Sequence, residues 1–181
     1  MQKIEEQILY SPSDLIRFLE SPFASWMERM RLEDPERYTP DEDTEEKKLV
    51  QKKGYAHEDA FLARLQKEGR EVETIEAKNR IDADRATRDA MNAQFEVIFQ
   101  AYLTDGIFAG YADFLFCTSE GIYQPWDTKL SQQVKPYFLV QLCCYADLLE
   151  KTSGDRPEMM SVVLGNNEIR HFAVSEYFDY Y

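Results

Sequence analysis

Ala109-Gly110-Tyr111-Ala112-Asp113-Phe114-Leu115-Phe116-Cys117, then Thr118-Ser119-Glu120-Gly121, then Ile122-Tyr123-Gln124-Pro125-Trp126-Asp127-Thr128-Lys129 is the stretch that decides the fold. Two apolar runs flank a Gly-containing turn, which reads as a β-hairpin. Asp113 and Asp127 then face each other across it. Side chains two apart in a strand share a face, so Asp127 and Lys129 point one way and Trp126, Thr128 and Leu130 the other. Two carboxylates and one amine therefore converge. Asp113 sits among Ala109, Ala112, Phe114 and Leu115, and Asp127 follows Trp126. Carboxylates in such surroundings need cations or protonation. A hard divalent ion with oxygen ligands, Mg²⁺ or Mn²⁺, meets that need.

Downstream, Lys135-Pro136 opens an amphipathic helix to Glu150, with Pro136 in the first turn where its missing N–H costs little. Gln141 and Tyr145, four apart, lie on one face of it. Upstream, Glu45 to Lys67 reads as a helix, with Val50, Ala60, Phe61 and Leu65 near one stripe. His57 falls on that stripe and points inward, whereas Glu58 lies on another face and is the weaker candidate.

The order Asp, then Asp-x-Lys, then Gln-x-x-x-Tyr resembles the PD-(D/E)XK nuclease superfamily in its RecB-like branch. Gly54-Tyr55-Ala56-His57-Glu58 resembles the branch's Gly-x-x-His helix motif, and Val97-Ile98-Phe99-Gln100-Ala101 resembles the strand entering its hairpin. The resemblance runs from about Ser11 to about Tyr180 and implies a restriction-endonuclease-like core. It also implies metal-assisted hydrolysis of DNA phosphodiesters, as in DNA repair or recombination. Asp113, Asp127, the Thr128 carbonyl and His57 would hold one or two ions. Lys129 would orient water or stabilise the charged phosphorane, and Gln141 and Tyr145 would position substrate. Many relatives carry a cysteine near Ser21 as the first ligand of an iron-sulfur cluster. Serine cannot supply that thiolate, so no cluster is expected. The implied partners are DNA, as single strands or duplex ends, and a helicase partner or fused domain.

The remaining segments fit one domain spanning 1–181. Ser11-Pro12-Ser13-Asp14 and Ser21-Pro22 are helix starts, and Phe23, Trp26, Met27 and Met30 are expected to face the core. Glu71 to Ala77 reads as a strand and Ile81 to Ala93 as a helix. Glu96 to Leu103, Ile107 to Cys117 and Gly121 to Leu130 read as a meander. Met159 to Leu164 and Glu168 to Val174 are further strands around Gly165-Asn166-Asn167. The fold class is α/β, or α+β, with a central mixed sheet flanked by helices. Glu176 to Tyr181 reads as the start of an amphipathic helix without a C-terminal cap, as in a chain that continues.

Composition bounds the function. With 181 residues, 44% hydrophobic and 13% aromatic, the chain can bury its own core. No apolar run reaches a membrane span's length and residues 1–6 lack a signal peptide's apolar stretch, so a cytoplasmic protein with no membrane partner is expected. Cys117, Cys143 and Cys144 form no metal or disulfide framework and read as free thiols. The net charge of -13 opposes unaided nucleic-acid binding, although much of the excess lies in the run from Glu33 to Glu46. That acidity favours the alternative reading, a catalytically silent nuclease-fold module that docks DNA or a helicase.

Overall fold

A computed structural model describes residues 1–4 and 7–181; Glu5 and Glu6 lie outside the described residues. The central element is a six-stranded mixed sheet in the order β3-β4-β5-β6-β7-β8. Its strands are β3 (Val72–Thr74), β4 (Val97–Thr104), β5 (Ala109–Cys117), β6 (Tyr123–Lys129), β7 (Met159–Leu164) and β8 (Ile169–Ala173). β4, β5 and β6 form the antiparallel meander, β3 runs parallel to β4, and β7 runs parallel to β6. A short hairpin, β1 (Gln2–Ile4) and β2 (Gln7–Leu9), stands apart and joins the rest through a bridge from Tyr10 to Phe108. That hairpin has no sequence signal, because its strands are three residues each and largely polar.

A parallel β6–β7 pair requires a crossover, and α5 (Pro136–Ser153) supplies it. α5 is buried on most of its circumference, from Phe138 to Leu149, because it lies between the sheet and α1 (Pro12–Glu20). Gly154, at φ 90°, ends it in the left-handed conformation that favours glycine. α4 (Arg80–Asn92) covers β4 on the α5 side, where Ala83, Ala90, Ile98, Leu103, Leu115 and Leu148 form the largest core cluster. On the opposite face α3 (Glu45–Lys67) covers β6, and Phe61, Leu65, Val97, Phe99, Phe114 and Val163 form a second. The architecture is thus α+β, a mixed sheet flanked by helices. Among the described residues no helix is long and apolar enough to cross a membrane.

Both serine-proline starts cap helices. The Ser11 N–H and hydroxyl donate to Asp14 Oδ2 at 2.8 and 2.7 Å, and the Ser21 hydroxyl accepts from the Ala24 N–H at 3.1 Å, opening α2 (Pro22–Glu33). Phe23 and Trp26 do not face the core: they are 67% and 50% exposed, because α2 packs chiefly on α1 and nothing described covers its outer flank. The stripe expected on α3 is also displaced. Val50 and Ala60 are exposed, and the buried residues are Glu58, Phe61 and Leu65, at i, i+3 and i+7. The first half of α3 projects past the sheet, so only its second half has a face to bury. Residues 174–180 form two short 3₁₀ turns rather than the start of an α-helix. The three cysteines are free, with Cys143 and Cys144 buried and Cys117 partly so.

Candidate active site

The β5–β6 ladder runs from Cys117 opposite Tyr123 to Phe114 opposite Trp126. One more step would set Asp113 opposite Asp127, and there the side chains take over from the backbone. The Thr128 N–H and hydroxyl both donate to Asp113 Oδ2, each at 2.8 Å. Asp113 is thereby fixed beside β6 by two donors of one residue.

Asp127 is 2% exposed, and its Oδ2 lies 2.6 Å from Lys129 Nζ. The approach is an ion pair without hydrogen-bond alignment, leaving Oδ2 a buried acceptor with no directed donor. Burial pushes the Asp127 carboxyl up to about 7; Lys129 opposes the shift and Asp113 adds to it. Burial also works against the Lys129 charge, but Asp127 and Asp113 outweigh it and hold the ammonium protonated. The Lys129 Nζ lies 5.4 Å from the centroid of the Phe138 ring, at the start of α5. Strand parity therefore places Asp113, Asp127 and Lys129 together, and Trp126 turns to the α3 side against Phe61 and Phe116.

Sequence reasoning under-weighted Glu58. It is the α3 carboxyl that the sheet holds: Gln100 Nε2 donates to its Oε1, and burial, then the Asp113 charge, raise it to about 7. Gln100 lies in β4 between the pairs Phe99–Phe114 and Ala101–Ala112, across from Asp113, with φ 56°. A non-glycine residue in that left-handed region costs about 1–3 kcal/mol, and such strain gathers at functional sites. The signal for Glu58 was its spacing with Phe61 and Leu65, masked by the competing stripe through Val50. His57, one position earlier, is partly buried, and its Nε2 is buried without a hydrogen-bond partner among the described residues.

Gln141 and Tyr145 are both buried on α5. The Tyr145 hydroxyl donates to the Tyr111 carbonyl at 2.6 Å, which ties α5 to β5 two residues before Asp113. Burial, with the charges of Asp113 and Asp127, holds that phenol far above its ordinary value, and Gln141 works the other way. Glycine at 110 permits this approach, since a Cβ there would meet Pro12 Cδ at 2.9 Å and the Tyr145 hydroxyl at 3.2 Å.

The donor set suits a hard cation. Asp113, Asp127 and Glu58 offer carboxylate oxygens, and burial, with repulsion from neighbouring carboxylates, pushes Asp127 and Glu58 toward protonation. Among the described residues, however, no three His, Cys, Asp or Glu side chains stand together as a preassembled ligand cluster. Thr128, Lys129 and Gln100 each hold one carboxyl instead. No protein-family model matches the chain, and no curated protein matches it.

Proposed function

We propose that this protein is a metal-dependent nuclease that hydrolyses DNA phosphodiesters on a restriction-endonuclease-like core of the RecB-like PD-(D/E)XK type. One observation carries the reading: Asp127 is buried in an ion pair with Lys129 on one strand, while Asp113, fixed by Thr128, lies beside it on the next. Folding alone gains little from that arrangement, since burying the pair costs desolvation of both ions and leaves Asp127 Oδ2 imperfectly satisfied. The β6–α5–β7 crossover supports it as well, because α5 brings Gln141 and Tyr145 to the same side as the carboxylates.

In this reading Asp113 and Asp127 would hold Mg²⁺ or Mn²⁺, with the Thr128 carbonyl, Glu58 and the His57 Nε2, unpartnered among the described residues, as further donors. When bound, the ion activates water and neutralises phosphate charge. Lys129 exchanges its contact with Asp127 for the developing negative charge on the phosphoryl oxygens, or holds the attacking water. The ion also offsets part of the net charge of -13 at the one place where the backbone of DNA must approach. A role in DNA repair beside a helicase partner or fused domain follows from the family alone.

The test is incubation of end-labelled single- and double-stranded DNA and RNA with Mn²⁺ or Mg²⁺, for the wild type and Asp113→Asn. Cation-dependent cleavage of DNA that Asp113→Asn loses supports the reading. Intact substrates under all conditions sink it, and binding without cleavage leaves the docking module.

A further inference from the structure

A cavity of about 260 Å³ opens at the start of β5, next to the carboxylates but separate from them. Residues far apart in sequence wall it: Tyr10 and Ser11 before α1, Arg80 at the start of α4, Tyr102 on β4, Tyr111 on β5 and Tyr145 on α5. Tyr111 is 41% exposed, and its ring leans on the buried Tyr102 at a tilt of 56°, with centroids 5.0 Å apart. It is therefore an accessible aromatic face on a rigid support.

The charge of this cavity runs against the acidity of the chain as a whole. The chain has 34 acidic against 21 basic residues, yet no carboxylate lines the cavity among the described residues. Arg80 forms no ion pair among the described residues, and its charge acts on the Tyr102 phenol. Asp84, one turn along α4, is paired with Arg88 at 3.0 Å. A guanidinium with no ion-pair partner among the described residues, beside an open tyrosine in so acidic a protein, is a place for a phosphate and an aromatic ring together.

We infer that this cavity is a subsite for one nucleotide of a single-stranded nucleic acid, its base stacked on Tyr111 and its phosphate held by Arg80. A base must be unpaired to offer its face to an aromatic side chain. The volume lies below the roughly 300–1,000 Å³ of pockets for drug-sized ligands, which suits one nucleotide and excludes a duplex. Tyr145 is a wall shared with the acid site, and Gly110 lies three residues before Asp113 on β5. At roughly 3.3 Å per strand residue this is about 10 Å, or about three stacked nucleotides at roughly 3.4 Å each. The subsite rests on the nuclease reading for its direction: a single strand leads from it to the carboxylates.

Fluorescence anisotropy of a labelled oligothymidylate about ten nucleotides long, in EDTA, measures binding apart from cleavage. An oligouridylate of equal length and a blunt DNA hairpin serve as the other arms. Tyr111→Ala should weaken single-strand binding about tenfold, with Tyr111→Phe restoring it. Arg80→Ala should weaken it and lower the salt dependence by about one phosphate contact. Hairpin binding should not change, and thermal melts by circular dichroism confirm folding. Wild-type affinity in both variants, failure of the wild type to bind any single strand, or an equal loss on the hairpin would each overturn the subsite. Cleavage with Mn²⁺ is scored separately. If the variants bind weakly but the wild type cuts nothing, hydrolysis falls and the subsite stands; if the wild type cuts and the variants bind normally, the reverse holds.

Discussion

Asp127→Asn should remove a pH dependence that the buried carboxyl imposes on folding. In the unfolded chain Asp127 titrates near the ordinary aspartate value of about 3.9, whereas in the fold burial raises it to about 7. Between those values the folded state holds the extra proton. Stability from this group is therefore full at low pH, declines as pH rises above about 3.9, and is lost in full once pH passes about 7. Linkage over the whole window gives about 4 kcal/mol at 1.36 kcal/mol per pKa unit, and about 2 kcal/mol of it falls between about pH 5.5 and pH 8. Asparagine mimics the protonated acid at nearly equal size and cannot titrate. Urea unfolding in EDTA at those two pH values, followed by the fluorescence of Trp126 against Phe116, should show wild type losing about 2 kcal/mol more than Asp127→Asn. An equal pH response in the two proteins would refute the reasoning, because it would mean that Lys129 fully compensates the buried charge.

Other outcomes test the site piece by piece. Saturating Mn²⁺ at about a hundred times its dissociation constant should add about 2.7 kcal/mol of stability, seen as a raised melting temperature, and Asp113→Ala or Asp127→Ala should abolish the rise. Lys129→Ala should lower the cleavage rate roughly a hundredfold or more while that metal-dependent rise survives, since Lys129 acts on charge developing in the transition state rather than on the ion. Tyr145→Phe should cost about 1–2 kcal/mol in urea titrations, because the Tyr111 carbonyl loses its donor. Phe61→Ala should cost about 3–5 kcal/mol by the same measurement, as the ring packs between Phe114 and Trp126 on the face that presents Glu58.

What short-range geometry governs could be read along the chain. Strand parity puts Asp127 and Lys129 on one face whatever else the chain does, and the turn at Thr118 to Gly121 sets Asp113 opposite, so those three residues were legible together. The helices over 45–67 and from Pro136, and the strand over 159–164, are likewise local, written in period, caps and proline placement. Tertiary structure decided which way each helix turns. A hydrophobic stripe drawn on α3 could not show that its first half leaves the sheet behind, and that choice selects Glu58 for burial rather than the stripe through Val50 and His57. The same limit explains the misplaced face of α2, since burial depends on whether another element arrives to cover it. The left-handed backbone of Gln100 is paid for by its hydrogen bond to a glutamate 42 residues away, and no local preference of glutamine encodes it. The cavity of Arg80, Tyr102, Tyr111 and Tyr145 exists only because α4, β4, β5 and α5 meet at one end of the sheet, a juxtaposition that spacing along the chain cannot express.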